Sequence, residues 1–141
     1  MKAQDLMIGD WVRMKESPDL KFQMEDVSGT GMFKRWSQDG EIMIPFSYSE
    51  IEPIPLTREI LEKNGFEKLD FSHYHIKGRT LVLDADGKWE GELVWHWVVT
   101  EMDTNSKGQN YVIDYYVATI QYVHQLQHAL RLCGIDLEIK L

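Results

Sequence analysis

Two histidines in the C-terminal region, His124 and His128, come closest to a spacing that could do chemistry. On a helix they would lie one turn apart on one face, where both imidazoles can bind the same metal ion. Zinc peptidases with this spacing have a glutamate directly after the first histidine, which activates the zinc-bound water, whereas this chain has Gln125 there. The pattern excludes hydrolysis by that route. It leaves two alternatives, a metal site at His124 and His128 or a polar helix surface that faces solvent.

A second pattern resembles the spacing of a calcium-binding loop. The first, third, sixth and twelfth places of an EF-hand loop are matched by Asp103, Asn105, Gly108 and Asp114. Lys107 stands at the fifth place, where an oxygen ligand is needed, and both flanks have the pattern of strands. We predict a β-hairpin loop here and not a calcium site.

Alternating aromatic residues mark a strand whose two faces are both largely apolar. Trp95 and Trp97 share one face of this strand, and His96 lies on the other. Two interpretations remain open: a central strand with both tryptophans in the core, or a tryptophan platform with His96 at a groove that stacks a base, a sugar or a proline-rich peptide. His73 and His75 share a face of another predicted strand and are expected to be solvated.

The chain lacks the other common arrangements for catalysis. Its single cysteine, Cys133, falls in the last turn of a predicted helix, where the negative end of the helix dipole disfavours a thiolate. No nucleophile-elbow motif, phosphate-binding glycine loop or dinucleotide-binding motif is present, and the carboxylates are scattered. The sequence predicts no catalytic residue and no cofactor, and favours a protein that is not an enzyme.

Short strands separated by turn signals fill the first part of the chain. Glycine-containing and Ser-Pro-Asp segments provide the turns. The predicted strands cover residues 11–14, 21–27, 32–36, 41–46 and 48–54. Five short strands in so few residues predict a small SH3-like β-barrel over residues 1–55, in which Trp11, Phe33 and Trp36 line a peptide groove.

An α+β domain is predicted over residues 56–141, after the extended segment that Pro53 and Pro55 impose. A short helix over residues 58–64 has Thr57 as its N-cap and Gly65 after its end. Further elements are expected as strands at residues 73–77, 80–84, 92–99 and 110–117, a helix at residues 120–133 and a final strand at residues 137–141. The predicted fold is α+β: the barrel is followed by an antiparallel sheet packed by one long C-terminal helix.

The C-terminal helix is predicted to be amphipathic. With Thr119 as its N-cap, it places Val123, Leu126 and Leu130 on one arc that packs on the sheet. His124 and His128 fall on the other arc, which is expected to face solvent.

Charge and composition limit the classes of partner. The 141 residues include 15 Lys and Arg against 23 Asp and Glu, a net charge of -8, and Lys34-Arg35 is the one adjacent basic pair. Because nucleic-acid binding depends on cations that neutralise phosphates, duplex binding is disfavoured. Two nucleic-acid alternatives remain, either binding through a barrel face with Lys34, Arg35 and Trp36 or an acidic surface that mimics DNA.

Several features favour a cytoplasmic protein. A single cysteine cannot form an internal disulfide, which fits a reducing compartment. The first residues lack the apolar segment of a signal peptide, and the longest apolar stretch, residues 94–99, is too short to span a membrane.

Three segments together resemble a family of small uncharacterised proteins of gut anaerobes, often encoded by prophages or mobile elements. The segments are the opening Leu6–Val12, the stretch from Ile54 through Thr57 to Phe66 (IPLT and then NGF), and Tyr122–Gln127 (YVHQLQ) with Leu137–Ile139 after it. The resemblance implies no activity. It implies that His124, Gln125 and Gln127 belong to a shared helix design, either for packing or for a partner.

The leading hypothesis is a non-enzymatic module that binds another protein of a phage or mobile-element system. Its groove residues would be Trp11, Phe33 and Trp36, with Trp95, His96, Trp97 and Gln125 as further candidates for ligand binding. A nucleic-acid role and a metal-dependent enzyme that uses His124 and His128 are the alternatives. The sequence leaves the oligomeric state open.

Overall fold

A computed structural model describes residues 3–27, 31–37, 40–77, 79–83 and 93–141. The described residues form ten β-strands, two α-helices and a short 3-10 helix, Ala3–Asp5. The strands build two antiparallel five-stranded sheets, so the predicted α+β class is confirmed.

The chain divides into two compact units. The first consists of Met1–Ile54 and Tyr122–Gln127, and the second consists of Pro55–Gln121 and His128–Leu141. The start of the C-terminal helix thus belongs to the first unit. The predicted first domain, residues 1–55, does not include this segment.

In the first sheet, four strands form an antiparallel meander, and a fifth strand returns to pair with the first one. Its strands are β1 (Trp11–Met14), β2 (Lys21–Asp26), β3 (Gly31–Ser37), β4 (Gly40–Phe46) and β5 (Ile51–Pro53). The strand order is β4-β3-β2-β1-β5, so β4 and β5 are the two edges. A closed SH3-like barrel is not confirmed: none of the described sheets closes on itself. Closure requires the edge strands to pair with each other, and β5 has three residues.

Aromatic side chains fill the core of this sheet. Phe22 and Phe33 stack with ring centroids 3.9 Å apart, and Phe46 lies 5.3 Å from Phe22. Gly31 is the register partner of Phe46 on the neighbouring strand. A Cβ at Gly31 would lie 2.3 Å from Cζ of Phe46, so the ring occupies the space that any other residue at position 31 would need.

The second sheet has a long hairpin at one side. The elements of this part of the chain are α1 (Arg58–Lys63), β6 (Glu67–Lys68), β7 (His73–Ile76), β8 (Arg79–Leu83), β9 (Trp95–Thr104), β10 (Asn110–Ile120) and α2 (Val123–Leu132). The strand order is β10-β9-β8-β7-β6, with every neighbouring pair antiparallel.

Helix α1 has the termini that its sequence predicts. Thr57 Oγ1 accepts a hydrogen bond from the Ile60 N–H at 3.4 Å, as an N-cap does. Gly65 has φ 77°, and the Phe66 N–H donates to the Leu61 carbonyl at 3.1 Å, which completes a Schellman turn. The helix ends at Lys63, one residue before the predicted end.

Helix α2 begins later than the sequence pattern predicts. β10 continues to Ile120, which pairs with Trp95, so Thr119 lies within a strand and does not cap a helix. α2 therefore begins at Val123 and not at residue 120. Residues 137–141 form no strand, contrary to the prediction.

We expect Gly31→Ala to lower the free energy of unfolding by about 1–3 kcal/mol, because its methyl group overlaps the Phe46 ring. Urea unfolding of the purified protein measures this change. The variant Phe46→Leu is the matched background, in which the same Gly31→Ala change should cost clearly less. An equal cost in both backgrounds would show that the ring is not the cause.

Candidate functional site

The beginning of α2 is held by its own polar side chains. The Gln125 Oε1 accepts a hydrogen bond from the Tyr122 N–H at 3.2 Å, so the third helical residue caps the first turn. The rings of His124 and Tyr122 stack in nearly parallel planes with centroids 5.9 Å apart. The Val123 N–H donates to the Ile54 carbonyl at 2.9 Å, which ties this turn to the end of the first sheet.

Gln127 joins this helix to the opening segment of the chain. Its Oε1 accepts from the Trp11 N–H and its Nε2 donates to the Gly9 carbonyl, both at 2.9 Å. The side chain is buried, with 6% exposed. The amide thus pairs with backbone as a neighbouring strand would, over a sequence separation of more than a hundred residues.

Asp10 forms hydrogen bonds that shape the opening segment to which that amide binds. Its carboxylate accepts from the Met7 N–H at 2.8 Å, and its own N–H donates to the Met7 carbonyl at 3.1 Å. Its carbonyl accepts from the Met24 N–H on β2 at 3.0 Å. Gly9 has φ 84°, a conformation that favours glycine, so the Gly-Asp pair makes a tight turn into β1.

Three of the segments quoted for the family resemblance therefore meet within the first unit. Gly9 and Trp11 come from the opening, Ile54 from the middle segment, and Val123 and Gln127 from the helix. Of the two roles implied for the polar helix residues, packing or a partner, the contacts of Gln125 and Gln127 favour packing.

The candidate metal ligands do not form a recognisable site. His124 is buried, with 5% exposed, so the prediction that it faces solvent is wrong; its ring stacks on that of Tyr122. His128 is half-buried. Within residues 3–27, 31–37, 40–77, 79–83 and 93–141 there is no group of three or more His, Cys, Asp or Glu placed to hold a metal ion.

The tryptophans of β9 are core residues. Trp95 and Trp97 are 0% and 1% exposed, so neither ring offers a face on which a ligand stacks, and the platform interpretation is wrong. Trp95 packs edge-on against Tyr74 at 5.5 Å and donates through Nε1 to the Leu56 carbonyl at 3.3 Å. His96 lies half-buried on the other sheet face, where its Nδ1 is 3.5 Å from Thr119 Oγ1.

The predicted peptide groove of the first sheet loses one of its members. Phe33 is 4% exposed and belongs to the core, whereas Trp11 is half-buried. The side chain of Trp36 lies outside the part of the chain that is described, as do those of Lys34 and Arg35. The groove and the basic face therefore stay predictions.

The segment with calcium-loop spacing is a hairpin loop between β9 and β10. Asn105 Oδ1 accepts from the N–H groups of Lys107 and Gln109 at 2.9 and 3.0 Å. The Gly108 N–H donates to the Asn105 carbonyl at 2.9 Å. The asparagine oxygen that a calcium ion would need is thus engaged by the backbone.

The loop between β6 and β7, Leu69–Ser72, displays two large apolar side chains to solvent; we call it the 69–72 loop. Leu69 is 62% exposed and Phe71 is 71% exposed. The guanidinium of Arg58 lies 4.3 Å from the centroid of the Phe71 ring, which is a cation–π contact. The sequence analysis missed this feature. The signal that could have predicted it is the pair of apolar residues, Leu69 and Phe71, on either side of Asp70 in a polar turn.

A network around Asp70 fixes the backbone of the 69–72 loop. Asp70 Oδ1 accepts from the N–H groups of Ser72 and His73 at 2.8 and 2.9 Å and lies 2.8 Å from His73 Nδ1. The hydrogen bond with the His73 ring is the largest cause that lowers the pKa of Asp70 to about 2. The Leu69 N–H donates to the His73 carbonyl at 2.9 Å and closes the loop.

Ser72, His73 and Asp70 do not form a catalytic triad despite their residue types. Ser72 Oγ lies 3.0 Å and Asp70 Oδ1 lies 2.8 Å from the same ring nitrogen, Nδ1 of His73. A triad needs the hydroxyl and the carboxylate on opposite nitrogens, so that the imidazole can take the proton of the hydroxyl. These contacts hold the loop and do not activate a nucleophile.

An open groove of about 450 Å³ lies beside β6 and β7, and its ionisable lining residues are Glu67, His75 and Lys77. Asn64 at its side is fully engaged: its Oδ1 accepts from the Lys140 N–H at 2.7 Å, and its Nδ2 donates to the carbonyls of Lys140 and Ile60 at 2.8 and 2.7 Å. The polar atoms of Asn64, at the border of the groove, are therefore used in contacts within the chain.

No protein-family model matches the chain, and comparisons with curated proteins and with solved structures found no match either. Among the described residues, neither helix has the length and apolarity that crossing a bilayer requires.

We expect Gln127→Leu to destabilise the protein by about 2–4 kcal/mol, because the Trp11 N–H and the Gly9 carbonyl lose their partner in a buried place. Gln125→Leu is the matched control on the same helix. It removes one capping bond and should cost about 1 kcal/mol. Equal losses in urea unfolding would contradict the role given to Gln127.

We expect Tyr74 to ionise well above the usual pKa of a tyrosine. Burial, and then the hydrogen bond from its Oη to Glu62 Oε1 at 2.8 Å, raise its pKa from 10.0 to about 12. Because this pKa is higher in the folded state, the stability it contributes is present below pH 10 and is lost as the pH rises towards 12. Absorbance titration of wild type against Tyr74→Phe isolates the transition. Glu62→Gln should lower it and Glu67→Gln should not; no shift with Glu62→Gln would contradict the assignment.

Proposed function

We propose that the chain is a non-enzymatic protein-binding module whose partner docks on the 69–72 loop. Following the family resemblance, the partner is another protein of the same phage or mobile-element system. The observation that supports this most is the exposure of Leu69 and Phe71 on a backbone that is already fixed.

The exposure of Leu69 and Phe71 at the tip of a loop favours a role in binding. Single exposed apolar residues are common on protein surfaces, but here a large aromatic and a leucine lie two positions apart on one turn. Aromatic side chains that enter a partner's pocket contribute a large share of binding energy at protein interfaces. The 69–72 loop therefore has the composition of a binding anchor.

The contacts that order the 69–72 loop in the free protein also support its role as a binding anchor. A partner that binds a loose loop must oppose the entropy lost when that loop becomes ordered, which weakens binding. Here Asp70 holds the backbone and Arg58 holds the Phe71 ring before any partner arrives. A pre-ordered anchor loses little further freedom on binding.

The partner that fits is a protein with an apolar pocket. The ring of Phe71 would fill that pocket, with Leu69 at its rim and the guanidinium of Arg58 close by to meet an acceptor group. Nucleic acid fits this loop poorly, because the chain has a net charge of -8 and Asp70 remains ionised at neutral pH.

We expect wild-type protein to capture one predominant protein from extracts of its native host at physiological salt. The double variant Leu69→Ser with Phe71→Ser should weaken that binding by about thirtyfold, the effect of losing a 2 kcal/mol anchor. Both side chains are exposed, so folding should be unaffected.

The matched control is Leu132→Ser, which removes an apolar side chain that is 87% exposed on α2. It should bind the captured protein as wild type does. Recovery of background proteins alone would contradict the proposal. Equal binding by the loop variant and wild type in titration calorimetry would also contradict it.

A further inference from the structure

The guanidinium of Arg58 has no acceptor within the described part of the chain. Arg58 is the first residue of α1 and is half-buried. Its Nε N–H is buried without a hydrogen-bond partner, and no described carboxylate forms an ion pair with it. The group lies over the Phe71 ring instead, and a ring offers no oxygen acceptor. Because a buried N–H without an acceptor costs free energy, the fold gains little from a guanidinium at this place.

Arg58 also carries the wrong charge for its position in the helix. The N-terminal end of a helix dipole is positive, so a cation in the first turn is disfavoured and an acidic residue is favoured. Glu59 in the same turn has the favoured charge, and Arg58 has the opposite one. Residues that break a local preference without a gain inside the fold are characteristic of functional sites. This residue type is thus expected to serve a contact outside the chain.

The position of Arg58 joins it to the surface of the 69–72 loop. Its guanidinium lies 4.3 Å from the centroid of a Phe71 ring that is 71% exposed. Arginine and large aromatic residues are the types that contribute most binding energy at protein interfaces. A guanidinium carries five N–H donors, so its Nη groups can still bind an acceptor while it contacts the ring.

We propose that Arg58 pairs with a carboxylate of the partner, so that the 69–72 loop recognises an acidic residue beside an apolar pocket. This inference rests on the proposed function, because it specifies the protein that docks on this loop. A carboxylate accepts two parallel hydrogen bonds from a guanidinium, which fixes the direction as well as the distance of the contact. The ring of Phe71 in its pocket and the ion pair beside it would then form one anchor.

The charges around Arg58 favour a carboxylate over a phosphate group. A hydrogen bond with the Thr57 side chain is the largest cause that lowers the pKa of Glu59, and the pKa of Asp70 is about 2. Both carboxylates are therefore ionised at neutral pH, in a chain whose net charge is -8. A phosphate monoester carries nearly two negative charges, and one guanidinium among carboxylates does not neutralise them. A single carboxylate matches the single charge of Arg58.

Selection of random peptides, displayed on phage, against the full wild-type chain tests the chemistry of the partner. We expect the selected peptides to share an acidic residue next to apolar ones. A synthetic copy of the most enriched peptide is then titrated by calorimetry. Arg58→Gln should raise its dissociation constant about tenfold, because a charge-assisted pair is lost. Arg58→Lys should fall between the two, since an ammonium keeps the charge but lacks the planar fork.

The matched control is Lys68→Gln, which removes the same charge from an exposed residue next to the loop. It should change the dissociation constant by less than about twofold, because a solvent-exposed charge without a partner contributes little. A second peptide has the amide in place of its acidic residue. It should bind wild type and Arg58→Gln equally weakly, as expected when the two charges act as a pair. Urea unfolding of Arg58→Gln should match wild type, whereas a merely structural role would lower its stability.

Selected peptides without an acidic residue, or equal losses with Lys68→Gln and Arg58→Gln, would overturn the role of Arg58. Tighter binding of a peptide with phosphoserine in place of the acidic residue would also overturn it. In these cases weaker binding by Leu69→Ser with Phe71→Ser would still support the proposed function. A selection that yields no peptide dependent on Leu69 and Phe71 would overturn this inference, while capture of the host partner decides the proposed function separately.

Discussion

Side-chain amides that pair with backbone groups over long sequence distances hold this fold together. Gln127 pairs with Gly9 and Trp11 in the first unit, and Asn64 pairs with Lys140 in the second. A primary amide offers one acceptor and two donors, so it can replace a neighbouring peptide group where no strand is present. Because these groups are buried, a lost partner would leave them unsatisfied at a cost of about 1–3 kcal/mol each. Each connection ties a segment near one end of the chain to a residue far away in sequence.

Other polar residues whose side chains could do chemistry also serve structure. Gln125 caps the first turn of α2, His124 stacks on Tyr122, and Asp10 closes the turn before β1. Each of these side chains is committed to a contact within the chain. Among the described residues, the tip of the 69–72 loop is of another kind, because its apolar side chains face solvent.

Local sequence signals placed most elements close to their bounds. The Thr57 cap and Gly65 define α1, and the strand predicted over residues 11–14 has those bounds in the structure. The signals failed where a distant partner decided the outcome. Thr119 has the chemistry of an N-cap, but pairing of β10 with β9 continues to Ile120 and delays α2. His124 has helical spacing on a polar arc, yet it is buried and stacks on the ring of Tyr122.

The sequence by itself determined the α+β class, the order of the strands along the chain and the acidic charge, because these depend on local periodicity, turn residues and composition. Only the tertiary structure decided that Trp95 and Trp97 are core residues and that Gln127 reaches Gly9. It also decided that the first sheet stays open and that Leu69 and Phe71 face solvent. Burial depends on which faces meet, and those contacts join residues far apart in the chain, where periodicity carries no information.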